Sequence, residues 1–306
     1  MRKIILKCFL SFLFLALLAV VGSSFYMLDD VLAPDSGHRD SEACMLRQFE
    51  EYPETKNWVD SLRRVEALRD TFLTMPSGER HHAFFVWKGS RRTAFLLHGW
   101  RNCAVDVFFL GRLYEQLLDC NVVMPDLHAH GQSEGDAIGM GWLDRLDVLS
   151  WMNSFASDSI IVHGVSMGGA LSMILAGEDM PVKAKDMRFV DDCGYTSVWD
   201  ELQYQLRKEF SLPPFPLMYT TSMLCRLKNG WSFGEGAAVD RIAKSPYPML
   251  FIHGDSDTFV PTEMVKRLYE AKPSPKFLWI VPDTDHALSY KNHKQAYLEH
   301  LEEFVR

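Results

Sequence analysis

Between Ser159 and Ala170 the chain reads Ser-Ile-Ile-Val-His-Gly-Val-Ser-Met-Gly-Gly-Ala. An apolar run, a Gly-x-Ser-x-Gly pentapeptide and a helix-forming segment follow one another without a gap, and no other stretch limits the fold as severely. A serine on a sharp strand-to-helix turn adopts strained backbone geometry. The residues two before and two after it must then lack side chains, as Gly164 and Gly168 do. The turn exposes the Ser166 hydroxyl at the strand's end, and a helix starting at Met167 aims the positive end of its dipole at the same point. Ser166 is therefore the candidate nucleophile.

The surroundings agree with such a turn. Short apolar runs rich in Val, Ile, Leu and Phe predict strands at 83–87, 93–97, 121–124, 159–162, 187–190, 248–252 and 276–281. Continuous apolar strands belong to a parallel sheet covered on both faces. Segments of helical period separate them, at 106–118, 141–155, 167–176, 262–271 and 288–304, after a polar, helix-capable stretch over 40–70. This alternation predicts an α/β fold in one domain. From about 196 to 245 the alternation stops, and helix-like pieces are broken by prolines and glycines. That length is too great for a structureless connection, so it reads as a helical cap over the sheet's C-terminal edge.

A serine hydroxyl needs a base to take its proton, and the base needs an acid to orient it. With a nucleophile elbow, the chain order is serine, acid, histidine. Downstream, Pro248-Met-Leu-Phe-Ile-His-Gly-Asp-Ser-Asp is a strand ending in two acids. Asp257 is the choice, since the loop has to carry the carboxylate beyond the strand; Asp255 is the rival, with hydrogen bonding inside the turn as its other role. The next strand ends in Pro282-Asp-Thr-Asp-His286, so His286 is the candidate base. Amide donors for an oxyanion are expected from Met167, after the nucleophile, and from Trp100, after Leu97-His-Gly99. The Trp100 side chain walls the acyl pocket or packs into the core.

Among the remaining histidines, His163 and His253 end strands before glycines, where buried hydrogen-bonding imidazoles are common. His81, His82, His293 and His300 read as surface residues. His128-x-His130 is a conceivable ligand pair, but no third or fourth ligand stands at metal spacing, so no metal is expected.

The first residues stand apart: Arg2, Lys3 and Lys7 precede an apolar run from Cys8 to Val21. Residues 1–28 read as a signal-anchor, or alternatively as a signal peptide cleaved near Gly22 to Ser24, with 29–306 as the catalytic unit. Basic residues stay in the cytoplasm, so the rest is expected at the cell membrane's outer side, or secreted or periplasmic after cleavage. A net charge of -8 without a basic run argues against nucleic acid as a partner. The five cysteines beyond Cys8 fit no metal spacing and read as buried thiols, with one or two disulfides as the alternative.

Taken together, these segments resemble the bacterial membrane-anchored α/β hydrolases grouped with serine aminopeptidase-like and extended esterase-like enzymes, from about Tyr26 to the C-terminus. The more particular marks are Asp192-Cys-Gly-Tyr-Thr-Ser197 and His253-Gly-Asp-Ser-Asp-Thr-Phe-Val-Pro261, followed by Leu268-Tyr269. The resemblance implies an α/β-hydrolase fold with a mostly parallel eight-stranded sheet, helices on both faces and a short helical cap. It further implies no cofactor and hydrolysis of ester or amide bonds. Pro282-Asp-Thr-Asp-His286 departs from relatives, which usually carry a glycine and an alanine before the histidine, and sets Asp283 and Asp285 near the base.

The expected activity is cleavage of a small or medium carboxylic ester through an acyl-enzyme, in a pocket lined by Trp199, Tyr204, Phe215 and Met218. The alternative is an exopeptidase on small peptides, which requires carboxylates to hold a substrate amine; Asp200, Glu201 and Glu209 are the candidates. A non-catalytic binding module is a third reading, disfavoured because no triad member is missing.

Overall fold

A computed structural model describes residues 2–34, 37, 40–155, 157–179 and 184–305. The chain begins with one long helix, α1 (Arg2–Leu32), followed by α2 (Ser41–Glu51) and α3 (Pro53–Arg64). Asp40 caps α2, its carboxylate accepting from the amides of Glu42 and Ala43 at 3.0 and 3.2 Å. Pro53 opens α3, where its missing N–H costs nothing. The strands are β1 (Leu68–Thr74), β2 (Arg80–Val86), β3 (Arg92–Leu97), β4 (Asn121–Pro125), β5 (Ser159–Val165), β6 (Asp186–Asp192), β7 (Met249–Gly254) and β8 (Lys276–Val281). They form one sheet in the order β1-β2-β4-β3-β5-β6-β7-β8, in which β2 alone runs against the others.

Side-chain alternation along the central strands builds two cores. Phe95, Leu97, Ile160, Val162, Met249 and Phe251 point to one face, while Ala94, Leu96, Ile161, Val165, Leu250 and Ile252 point to the other. The period of two is why these strands are apolar throughout: neither face meets water. The first face is covered by residues of α5 (Asp144–Ser154), α6 (Met167–Ala176) and α10 (Thr262–Ala271). The second is covered by α2, α3, α4 (Phe108–Arg112) and α12 (Lys294–Val305), the last preceded by the single turn α11 (Ser289–Asn292). Between β6 and β7 the chain forms α7 (Val198–Phe210), α8 (Leu217–Asn229) and α9 (Ala238–Ile242).

Several expectations need correction. The stretch read as helix-capable to residue 70 turns into β1, an edge strand whose half-exposed pattern and charged Arg69 and Asp70 conceal it; only its register with β2, Leu68 opposite Val86 to Thr74 opposite Arg80, reveals it. The helix expected over 106–118 is split into a 3₁₀ turn (Ala104–Val107), α4 and a π turn (Leu113–Leu117). The one expected over 288–304 breaks at His293. His81 and His82 are not surface residues: both are fully buried, because β2 is an inner strand. The His82 Nδ1 lies 2.7 Å from Asp126 Oδ2. No disulfide joins any of the six cysteines, and all but Cys8 are buried.

α1 also crosses the boundary expected at residue 28 without a break. Leu28, Val31 and Leu32 belong to the first core. The Ser24 hydroxyl lies 2.6 Å from that of Thr220 on α8, and the Trp100 indole donates to the Val31 carbonyl at 2.9 Å.

Candidate active site

Ser166 joins β5 to α6 with φ 56° and ψ −116°, a conformation that ordinary residues rarely hold. The turn is held by its amide, which donates to the Asp192 carbonyl at 2.8 Å, and by its carbonyl, which accepts from Ala170 at 3.0 Å. A Cβ on Gly164 would stand 1.8 Å from the Gly168 carbonyl oxygen, and one on Gly168 would stand 2.2 Å from that of Leu97. Backbone cannot retreat from such contacts, so both positions exclude a side chain.

The Asp192-Cys-Gly-Tyr segment has a local reason too. Asp191 Oδ1 accepts from the Gly194 amide at 2.9 Å, and a Cβ on either Gly169 or Gly194 would come within 2.3 Å of that oxygen. Asp192 accepts from the Tyr297 hydroxyl at 2.7 Å and the Ser289 hydroxyl at 3.2 Å, which ties β6 to the C-terminal helices beside His286.

Loops after β5, β7 and β8 bring three side chains into one line. His286 Nε2 lies 2.9 Å from Ser166 Oγ, and His286 Nδ1 lies 2.8 Å from Asp257 Oδ2. The other Asp257 oxygen accepts from the amides of Phe259 and Val260 at 2.9 and 2.8 Å. Burial pushes the Asp257 carboxyl upward, but hydrogen bonds from His253 and His286 outweigh it and hold the group down at about 2. Asp255 is turned away from His286, its Oδ1 accepting from the Ser256 hydroxyl at 2.8 Å and from the Thr284 amide at 3.4 Å. Asp285 joins the acid's loop to the base's loop: its Oδ1 accepts from Thr258 at 3.0 Å and from the His286 amide at 2.8 Å.

The residues expected to supply oxyanion donors adjoin Ser166 along the chain or across the cavity. Met167 is the first residue of α6. Gly99, preceding Trp100, comes so near that a Cβ there would lie 3.5 Å from the Ser166 Cβ. Two buried imidazoles brace this loop. His98 Nδ1 donates to the Gly99 carbonyl at 2.8 Å, and His130 Nε2 accepts from the Arg101 amide at 3.1 Å. Burial lowers the His130 pKa, consistent with a neutral ring that accepts at Nε2. His128 lies instead with Glu79 and His81, three groups whose ligand atoms fall within 4.8 Å of one another; sequence spacing gave no sign of them.

A cavity of about 270 Å³ opens beside Ser166. Its wall includes Trp100, Tyr195 and Phe259, one face of α7 (Leu202, Leu206, Phe210) and the last turns of α1 (Met27, Val31). Three carboxylates, Asp30, Glu201 and Glu209, interrupt this apolar surface. Burial pushes the Glu201 carboxyl up to about 7; its Oε1 accepts from Gln205 at 2.8 Å, while its buried Oε2 has no hydrogen-bond partner among the described residues.

The four aromatic and sulfur side chains expected to line the pocket stand elsewhere. Trp199 packs edge-on against Tyr219, the Tyr204 hydroxyl donates to the Thr258 carbonyl at 3.1 Å, Phe215 is largely exposed and Met218 is wholly buried. Position 204 lies on the far side of α7 and Trp199 is taken up by Tyr219, whereas the cavity takes Glu201, Gln205 and Glu209 together with the adjoining i, i+4, i+8 row at 202, 206 and 210. That row was visible in the sequence. The contribution of α1 was not, because the segment reads as a targeting signal.

Comparison with known proteins bears on the whole of this arrangement. Residues 94–299 match the model of the Alpha/beta hydrolase family. The uncharacterized protein YqkD of Bacillus subtilis (strain 168) is 29% identical over 262 residues, spanning 82% of this chain and 84% of its own. A carboxylesterase of the same organism is 32% identical over 104 residues, 32% of this chain and 41% of the relative. Among solved structures, an esterase of Pyrococcus furiosus superposes with a TM-score of 0.62 at 22% identity, covering 78% of this chain and 90% of that one.

Proposed function

The chain belongs to the alpha/beta hydrolase family, and from that premise we propose that it is a serine esterase working through an acyl-enzyme. His286, oriented by Asp257, removes the Ser166 proton as Oγ attacks the carbonyl carbon of the ester. The carbonyl oxygen gains the negative charge and is held by the amides of Trp100 and Met167, each such donor being worth about 3 kcal/mol of barrier. The tetrahedral intermediate collapses, and the alcohol leaves with the proton from His286. Water repeats the sequence on the acyl-serine, releasing the acid and restoring the hydroxyl.

The observation that carries this reading is the unbroken Asp257–His286–Ser166 hydrogen-bond line, at 2.8 and 2.9 Å. Support for ester over peptide bonds comes from the mostly apolar cavity and from the esterases among its structural neighbours. A fluorophosphonate probe applied to the folded protein tests it. Covalent labelling at Ser166 that the Ser166→Ala variant abolishes is the expected result. A folded protein that stays unmodified would remove the enzyme reading altogether.

One feature favours exopeptidase action as the second reading: the unpartnered Glu201 oxygen on the cavity wall, with Glu209 and Asp30 nearby, offers a substrate ammonium its counter-charge. Comparing p-nitrophenyl esters with aminoacyl nitroanilides separates the two.

We further propose that α1 is a retained membrane anchor, with the catalytic unit outside the cytoplasm. Its 31 residues include an apolar stretch long enough to cross a bilayer, and none of that stretch is buried in the domain. The building of Ser24 to Leu32 into the domain supports retention over cleavage, and Arg2, Lys3 and Lys7 support the orientation.

A further inference from the structure

The relation of α1 to the cavity carries the reading of a membrane anchor further. Residues 4–21 of α1 include no buried side chain, whereas Ser24 is buried and touches Thr220 of α8. The helix therefore leaves the domain at about Ser24. At about 1.5 Å per residue, the cavity-lining Met27 and Val31 lie only about 5 and 11 Å beyond that level. If α1 spans the bilayer, the cavity sits just above the headgroups.

The surface at that level is unusual for one that faces water. On α8, Tyr219, Met223 and Leu227 recur every fourth residue and are 57, 58 and 76% exposed. The buried residues of the helix, Met218, Thr221 and Cys225, lie on its other side. Phe215 stacks edge-on against Tyr219 with ring centroids 5.9 Å apart, and is 71% exposed. On α1, Phe25 and Tyr26 follow Ser24 and are likewise exposed. A row of large apolar side chains continuous with a lipid-facing helix, with aromatic residues where that helix emerges, is the composition of an interfacial belt. Contiguous apolar patches of this kind mark docking surfaces.

Resting on the anchor and esterase readings, we propose that the exposed face of α8 beds into the lipid–water interface and that the Ser166 cavity draws its substrate, a neutral ester of a single acyl chain, from the bilayer. The size of the cavity, about 270 Å³, suits one chain and falls just below the roughly 300–1,000 Å³ usual for ligand pockets. The three carboxylates on its wall repel an anionic headgroup. The apolar wall built by Met27, Val31, Leu206 and Phe210 receives the chain.

The test uses the full-length protein in phosphatidylcholine vesicles with two substrates, monooleoylglycerol in the bilayer and p-nitrophenyl butyrate in water. A Tyr219→Glu, Met223→Glu, Leu227→Glu variant keeps the soluble ester rate within about twofold and loses the vesicle ester rate by about tenfold or more, because exposed side chains are altered without touching the site. Equal loss or retention of both rates overturns the proposal. Faster turnover of an anionic monoacyl phospholipid overturns its headgroup assignment. If the wild type hydrolyses neither ester, the esterase reading has failed. Docking is then judged by a Tyr219→Trp variant, whose added fluorescence brominated lipids quench if the face is embedded and leave unchanged if it is not.

Discussion

His253 and His286 converge on one carboxylate oxygen: Nε2 of the first lies 3.3 Å, and Nδ1 of the second 2.8 Å, from Asp257 Oδ2. His253 also donates to the Val260 carbonyl at 2.9 Å. It closes the loop that presents the acid, and it touches neither Ser166 nor the cavity. In the proposed mechanism it is a positioning residue.

Replacing His253 by Gln removes one of the two contacts that hold the Asp257 carboxyl near 2. A roughly tenfold fall in kcat for a p-nitrophenyl ester at pH 7 is expected, with little change in KM, as for loss of orientation without loss of binding. A variant with kcat unchanged, or with kcat and KM altered together, would leave His253 a purely structural role.

Asp257 itself makes stability depend on pH. Its folded pKa, about 2, lies below the unfolded value of 3.8, so its stabilisation is complete above the unfolded pKa and is lost as pH falls from about 4 through 2. The amount is about 2 kcal/mol, since a tenfold change in a protonation equilibrium corresponds to ~1.4 kcal/mol. Denaturant titrations of wild type and Asp257→Asn are expected to differ in acid sensitivity over that window; parallel curves would contradict it.

The elbow glycines tolerate no methyl group. Gly164→Ala, whose Cβ would press on the Gly168 backbone at 1.8 Å, should cost at least ~3 kcal/mol or prevent folding. Gly234→Ala meets nothing within 4 Å and should stay within about 0.5 kcal/mol of wild type. Thermal unfolding of the pair measures the contrast.

Glu201 distinguishes the two bond types. Burial raises its pKa to about 7, so its charge grows as pH rises through 7. If it holds a substrate ammonium, kcat/KM for aminoacyl nitroanilides climbs across that range, and Glu201→Gln removes the climb and raises KM about tenfold or more. For a neutral p-nitrophenyl ester the same substitution has little effect on KM. Identical responses of both substrates would discard the carboxylate's role in recognition.

Removing residues 2–21 should leave a folded protein that still hydrolyses soluble esters, because that part of α1 buries no side chain in the domain. Extending the deletion through Leu32 takes Leu28, Val31 and Leu32 from the core and opens the cavity wall. Each fully buried Leu or Val is worth about 1.5–3 kcal/mol, so the longer deletion should unfold well below the shorter one in a thermal melt. Equal melting temperatures would show that α1 is dispensable to the domain.

The amino-acid sequence alone determined the α/β class, the positions of the inner strands and the three side chains to watch. Inner parallel strands are buried on both faces, so their apolar runs are unbroken, and a serine elbow leaves so few permitted residues that Gly164, Ser166 and Gly168 stand out. Acid and base were legible because the chemistry demands them, in order, at the ends of the strands that follow. Tertiary structure alone decided what lies around them. β1 is half-exposed and charged, and only pairing makes it a strand. His81 and His82 carry no local sign of burial, which comes from the neighbours of β2. Which helix faces border the cavity depends on rotation about each axis, so Leu202, Leu206 and Phe210 reach it and Tyr204 turns to Thr258, while Trp199 is claimed by a tertiary contact with Tyr219. The packing of α1 against α8 and Trp100 is invisible along the chain, because contacts between residues 24–32 and residues 100 or 220 are set by packing across space, and hydropathy reports only solvent preference.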